Sequence, residues 1–257
     1  PDEAFIAFSR IEKAAPETTN ALLPVLFDNL SKSVRIDDPV APITEIVNRH
    51  PKAKQAWLGA ARALKARRLI QEQEAALNKA AEIAPGDPGV FVERGMYYES
   101  GRKLYTAMDD YRKAIALDAA NPIALNNLAY CIISTKGDPK EARDLAEKAL
   151  KAVPNDANVM HTLGVALLRI GELAESQKHL EKALERMPGE PTIMLDFGLN
   201  LIEQGKVQEG RNQVEAAVRF SEIFGLDFPR LFEAEDVLEK YPSTPPATPA
   251  TPEAKSA

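Results

Sequence analysis

The chain has 257 residues, 45% of them hydrophobic, with 32 Lys and Arg against 38 Asp and Glu, a net charge of −6 at pH 7 and a pI near 5.3. That balance argues against non-specific nucleic-acid binding, which depends on clustered Lys and Arg neutralising phosphates, and the single cysteine, Cys131, excludes an intrachain disulfide. No apolar run approaches the roughly 20 residues that a membrane helix needs, and no signal peptide is visible, although the chain opens at Pro1 without Met.

In chain order, residues 1–18 carry Ala4, Phe8, Ile11 and Pro16 at the spacing of a second helix whose first helix is missing. The expectation is a fragment of a longer array; the alternative is a plain N-terminal capping helix. Residues 19–53 read as a degenerate two-helix unit. Leu22, Leu23, Leu26 and Leu30 carry its first helix, in which Pro24 must lie in the first turn or produce a kink. The segment SVRIDDP is a longer turn than elsewhere, and Ile43, Ile46 and Val47 give a short second helix ending near His50-Pro51. This unit is expected to be distorted.

From residue 54 the pattern locks into five units, 54–87, 88–121, 122–156, 157–190 and 191–224. The fourth, ANVMHTLGVALLRIGELAESQKHLEKALERMPGE, shows it most plainly. Met160, Leu163, Gly164 and Leu167 sit at helical spacing, Gly171-Glu172 splits the unit, Ser176, Leu180 and Ala183 mark a second helix, and Pro188 closes it. The first unit repeats this with Trp57, Ala60, Ala61 and Leu64, then Leu77, Ala80 and Pro85. The second has Phe91, Gly95 and Tyr98, then Ala107, Tyr111 and Ala114, but places Arg94 where an inward leucine is expected. The third has Leu125, Leu128, Ala129 and Ile132, then Ala142, Ala146, Ala149 and Pro154. Its extra residue falls in TKGDPKE, where Gly137 can end one helix and Asp138-Pro139 can start the next. The fifth has Met194, Phe197, Gly198 and Leu201, then Gly210, Val214 and Ala217. Neither helix of such a unit would persist alone in water; each buries its apolar stripe on its partner and the following unit. Gly95, Gly164, Gly198, Ala61 and Ala129 mark the closest helix approach.

Beyond Phe220, Ile223, Phe224 and Gly225 the chain continues into FPRLFEAEDVLEKY. There Leu231, Phe232, Val237 and Leu238 mark a further amphipathic helix, with Glu235, Asp236, Glu239 and Lys240 toward solvent. Residues 225–241 are thus expected to cap the open apolar end of the array. Residues 242–257, rich in Pro, Thr and Ala, are expected to be disordered or extended; a linker or a Pro-rich ligand for another module is the alternative.

The chemistry is sparse. No Gly-rich phosphate loop, CxxC, HExxH or nucleophile elbow occurs, so neither an enzyme nor a cofactor is expected. His50, His161 and His179 are too scattered for a metal site. Cys131, in YCII, reads as a buried inert thiol. The basic run RALKARR at 62–68 reads as a solvated face near a helix C-terminus, or as a lure for an acidic partner.

The order of small and large apolar positions, repeated every 34 or 35 residues, resembles the tetratricopeptide repeat (TPR) family, with its W-x2-L-G-x2-Y, A-x3-F and P pattern. The resemblance implies an all-α, right-handed superhelical solenoid of antiparallel helix pairs with a C-terminal capping helix. It also implies that the first helices line a concave groove that holds a protein or peptide partner. Transferred to this sequence, the groove positions are Gln55, Leu58, Arg62 and Lys65, then Val92, Met96 and Glu99. Asn126, Tyr130 and Ile133 follow, then Asn158, His161, Val165 and Leu168. Leu195, Leu199 and Ile202 complete the set. Some of these side chains could instead pack on adjacent helices. A carboxylate-gripping set of Lys, Asn and Arg is matched only by Asn126. An asparagine ladder would need partners for Asn127, yet Glu93, Thr162 and Asp196 stand at the equivalent places. The succession LNNLAY then VMHTLG resembles long bacterial TPR proteins of exopolysaccharide secretion or surface-protein sorting.

The functional expectation is an interaction scaffold for a protein or peptide, without nucleic acid and without membrane insertion in this segment. The alternative is a regulatory or targeting region of a larger multidomain protein, possibly a bacterial secretion or exopolysaccharide-export component. Bacterial cytoplasm and periplasm both remain open.

Overall fold

A computed structural model of the chain describes residues 19–32 and 40–242, together with positions 6, 10 and 12. The remainder of the expected half-repeat at 1–18, the SVRIDDP turn and the tail beyond Pro242 lie outside the described residues.

Among the described residues the secondary structure is helical, with thirteen helices and no strand. They fall into two compact units, within residues 1–135 and 136–257. The first unit holds α1 (Thr19–Lys32), α2 (Val40–Arg49), α3 (Lys54–Ala66), α4 (Ile70–Ile83), α5 (Pro88–Ser100), α6 (Leu104–Leu117) and α7 (Pro122–Ser134). The second holds α8 (Pro139–Ala152), α9 (Ala157–Ile170), α10 (Leu173–Arg186), α11 (Pro191–Glu203), α12 (Val207–Phe224) and α13 (Leu231–Lys240). None of these helices is long and apolar enough to cross a membrane.

The helix starts follow from side-chain chemistry. Asp87, Asn121, Asp138 and Asp156 lie just outside α5, α7, α8 and α9, and each accepts a backbone N–H of the first turn. Such a bond satisfies one of the donors that a helix leaves without an internal partner. Pro88, Pro122, Pro139 and Pro191 open their helices, where the missing N–H costs nothing. Pro24 lies inside α1, beyond its first turn.

Reversal within each pair needs one residue in the left-handed region. Arg68, Arg102, Lys136, Gly171 and Gly205 take that role, once per repeat, with φ between 56° and 83°. The TKGDPKE turn therefore pivots on Lys136 and not on Gly137, because the chain must reverse one residue earlier to leave Asp138 free to cap α8.

Close packing of helices, within and between the pairs, is set by glycine. In the first unit a Cβ on Gly59 would lie 2.2 Å from the Phe27 ring, and one on Gly95 2.5 Å from the Tyr111 ring. In the second, Gly164 faces Leu180 at 2.7 Å, and Gly198 faces the Gly210 carbonyl at 2.7 Å. The last pair brings backbone against backbone, which is why both partners lack a side chain. The first unit's N-terminal core gathers Leu23, Phe27, Ile46, Ala60 and Leu77, with α1 packed chiefly on α3. The second unit has Met160, Ala183 and Ile193 in one cluster, and Leu195, Val214, Ala217, Phe228 and Val237 in another. Within α13, Ala234 and Val237 are buried and Glu235, Asp236, Glu239 and Lys240 are exposed; Phe232, expected on the apolar face, points outward and is 86% exposed.

Candidate functional site

In the first unit, α3, α5 and α7 present corresponding residues at each turn. Leu58, Val92 and Asn126 share one level, Arg62, Met96 and Tyr130 the next, and Lys65, Glu99 and Ile133 the third. Met96 and Tyr130, at equivalent places on neighbouring helices, are exposed by 44% and 46%. Arg62 and Lys65 are exposed, Leu58, Asn126, Glu99 and Ile133 are half-buried, and Val92 is buried in the core.

The positive charge here is less free than RALKARR implies. Arg62 of α3 holds Glu93 of α5, with Nε 3.2 Å from Oε2. Arg67 donates to the Leu30 carbonyl at 3.1 Å. Lys65 and Arg68 remain at the exposed end of α3.

Beneath the surface runs a polar chain that no sequence motif announces. The Tyr111 hydroxyl, from α6, donates to Glu99 Oε2 at 2.6 Å and accepts from Asn127 Nδ2 at 3.3 Å. Asn126 donates to Asn127 Oδ1 at 3.2 Å, while its own carbonyl oxygen is buried without a donor. Asn127 thus serves a tyrosine and does not begin an asparagine ladder. Burial pushes the Glu99 carboxyl up from the usual range, and the Tyr111 hydrogen bond pulls the other way. Burial, aided by the Glu99 charge, pushes the Cys131 thiol up to about 12, so at neutral pH it is a protonated, unreactive group. Arg94, the departure from the apolar pattern, forms a two-pronged ion pair with buried Asp110 of α6, both contacts at 2.7 Å, and donates to Asn78 at 3.0 Å. The matching signal was Asp110 at an inward position of the partner helix.

In the second unit the corresponding row is covered. On α9, Val165 is buried and His161 and Leu168 are half-buried. On α11, Leu195 is wholly buried and Ile202 is buried, with Leu199 half-buried, all in the cluster that includes Phe228, Ala234 and Val237. On α11, then, the chain's own C-terminal segment packs against this row. Asp196 of α11, 2% exposed, locks the arrangement: His161 Nε2 lies 2.8 Å from Oδ2, and Arg230 Nη1 lies 2.7 and 2.8 Å from the two oxygens. Burial pushes the Asp196 carboxyl up, but His161 and Arg230 together hold it below the ordinary aspartate range. Arg230 also grips Glu233 of α13 at 2.8 Å.

Comparison with known proteins places these features in context. Family models described as tetratricopeptide repeat match residues 43–88 and 122–189. A TPR repeat-containing protein of Pseudomonas aeruginosa is 29% identical over 153 residues, which cover 59% of this chain and 26% of the relative. Protein adenylyltransferase fic-1 of Caenorhabditis briggsae is 31% identical over 128 residues, covering 47% of this chain and 25% of the relative. The matched spans thus make up about a quarter of those two curated relatives. Among solved structures, YrrB, described as a TPR protein with an unusual peptide-binding site, superposes with a TM-score of 0.58 at 17% identity, covering 76% of this chain and 97% of that one. At that identity the likeness speaks for the fold.

Proposed function

Because the chain belongs to the tetratricopeptide-repeat family, whose members are generally interaction scaffolds and not enzymes, we propose that α3, α5 and α7 of its first unit form the surface that receives a peptide segment of a protein partner. The observation that carries this reading is the pair Met96 and Tyr130, exposed at equivalent positions of two successive first helices. Covering what remains exposed of each contributes about 1 kcal/mol, less than the roughly 1.5–3 kcal/mol of full burial. Two such anchors supply about 2 kcal/mol, a fraction of the roughly 8 kcal/mol of a micromolar complex, so a bound peptide must gain the rest from its other contacts. The YrrB description, a peptide-binding site on a TPR protein, is consistent with this use of the fold.

The test is a fluorescence-anisotropy titration with leucine-containing peptides at low and high salt, using Tyr130→Ala, Met96→Ala and Arg62→Glu in parallel. Affinity should survive added salt, because screening acts on exposed charges and hardly on apolar contact, and should drop several-fold in Tyr130→Ala. If Arg62→Glu abolished binding while Tyr130→Ala left it intact, the apolar surface would be the wrong one. A second reading, a regulatory or targeting region of a larger protein, draws on the relatives that exceed their matched spans about fourfold; the full-length gene decides it.

A further inference from the structure

The surface between α5 and α7 carries a charge that no cation among the described residues answers. Glu99 lies one helical turn beyond Met96 on α5, and Asn127 lies one turn before Tyr130 on α7, so each pair shares a helix face. The two faces meet at the Tyr111 hydroxyl, which bonds Glu99 Oε2 at 2.6 Å and Asn127 at 3.3 Å. Glu99 is half-buried, and its partner is that neutral hydroxyl; among the described residues no ion pair to it is formed, whereas Arg62 satisfies Glu93 and Arg94 satisfies Asp110. A half-buried carboxylate without a counter-charge is costly to the folded state. One carboxylate oxygen is free of the Tyr111 bond, and Met96 and Tyr130, on the same helix faces as Glu99 and Asn127, are partly exposed.

Resting on the reading of this surface as a peptide site, we propose that it selects a partner segment bearing a lysine or arginine flanked by apolar residues, with the cationic head on Glu99 and the alkyl stem against Met96 and Tyr130. The chemistry fits on each count. The ammonium or guanidinium supplies the donors that the carboxylate lacks, gains from the aromatic face, and carries methylenes that cover apolar surface. An acidic segment would bring like charge to Glu99 and be rejected.

The experiment uses the full chain and a fluorescently labelled nonapeptide containing two leucines, with lysine scanned through each remaining position, and the matching peptides with arginine, glutamine or glutamate in its place. For the best register, lysine and arginine should bind at least tenfold tighter than glutamine, and glutamate weakest. Glu99→Gln, which keeps an acceptor for Tyr111, should bring the lysine peptide to the level of the glutamine peptide while leaving the glutamine peptide unchanged and the melting temperature the same or higher, because a half-buried charge is removed. Equal affinities for lysine and glutamine in the native chain would overturn the proposal, as would a Glu99→Gln chain that still prefers lysine or loses all peptides alike. Tyr130→Ala separates the two readings. Loss of every peptide's affinity supports the apolar surface, whereas a lysine preference that survives Tyr130→Ala undiminished leaves Glu99 in place and removes the apolar anchors. If no peptide of the set binds, both readings fall.

Discussion

Gly164 and Arg102 show opposite consequences of a single Cβ. At position 164 a Cβ would lie 2.7 Å from Leu180 Cγ and 2.8 Å from its Cδ2, and Leu180 is wholly buried with no room to retreat. Gly164→Leu should therefore overpack the α9–α10 seam by about 1–3 kcal/mol or more, read as a lowered thermal midpoint; an unchanged midpoint would mean that the helices do not meet there. Arg102 has a side chain where glycine would serve better. Its φ of 57° is the left-handed conformation that Gly171 and Gly205 adopt without strain in the second unit, and its side chain is exposed. Relieving that strain, less the entropy glycine adds to the unfolded chain, should make Arg102→Gly about 0.5–1 kcal/mol more stable, visible as a rise of a few degrees in melting. Arg94 needs a different kind of reading. It breaks the apolar pattern, and only the Asp110 carboxylate opposite explains how a guanidinium can stand 15% exposed at an inward position.

At the scale of elements, α13 is held as much by charge as by apolar burial. Ala234 and Val237 pack into the second unit's core, but Arg230, at the start of the helix, closes on Asp196 of α11. Removing one partner of such a buried pair leaves the other uncompensated, so Arg230→Ala should cost on the order of 3 kcal/mol, with His161 still in place to limit the loss. Faster amide exchange confined to α13 and α11 would reveal it; uniform exchange would show that the apolar contacts suffice. The pH dependence has a definite sign. Asp196 is held below the ordinary aspartate range, so its contribution is fully present above about pH 4 and is lost as pH falls through the folded-state value. In Arg230→Ala that loss should be smaller and be complete at a higher pH, because the folded-state value rises toward the unfolded one. Glu99 in the first unit behaves oppositely. Burial raises its carboxyl, so acidification through its folded-state value toward the ordinary glutamate range relieves a buried charge and favours folding.

For the whole molecule, the division into residues 1–135 and 136–257 separates two kinds of first-helix surface. In the first unit Arg62, Met96 and Tyr130 remain exposed, whereas in the second the equivalent Val165 is buried and Leu199 is half-buried. Apolar composition alone does not distinguish these rows: Leu195 and Leu199 read as stronger anchors than Met96. What differs is the cover that residues 228–241 provide. The surface proposed to receive a peptide is therefore the row of the first unit, which the sequence marks as mixed in character, and not the row it marks as most apolar.

The sequence by itself determined the helices, their pairing and the places where they touch. Those features depend on local periodicity, on Asp or Asn followed by Pro, and on small residues recurring once per repeat, all of which are written along one stretch of chain. It also held Glu99, Tyr111 and Asn127, but as three unconnected letters. Only the tertiary structure decided that these side chains meet, that Arg94 finds Asp110, that Arg62 is neutralised by Glu93, and that Asp196 receives both His161 and Arg230. The physical reason is that a hydrogen bond or ion pair between helices depends on distances of a few ångströms set by packing. Residues 12 to 35 positions apart carry no mark of such a meeting in their own local pattern. Whether an apolar side chain is an anchor or a core residue is decided in the same way, by what else folds over it.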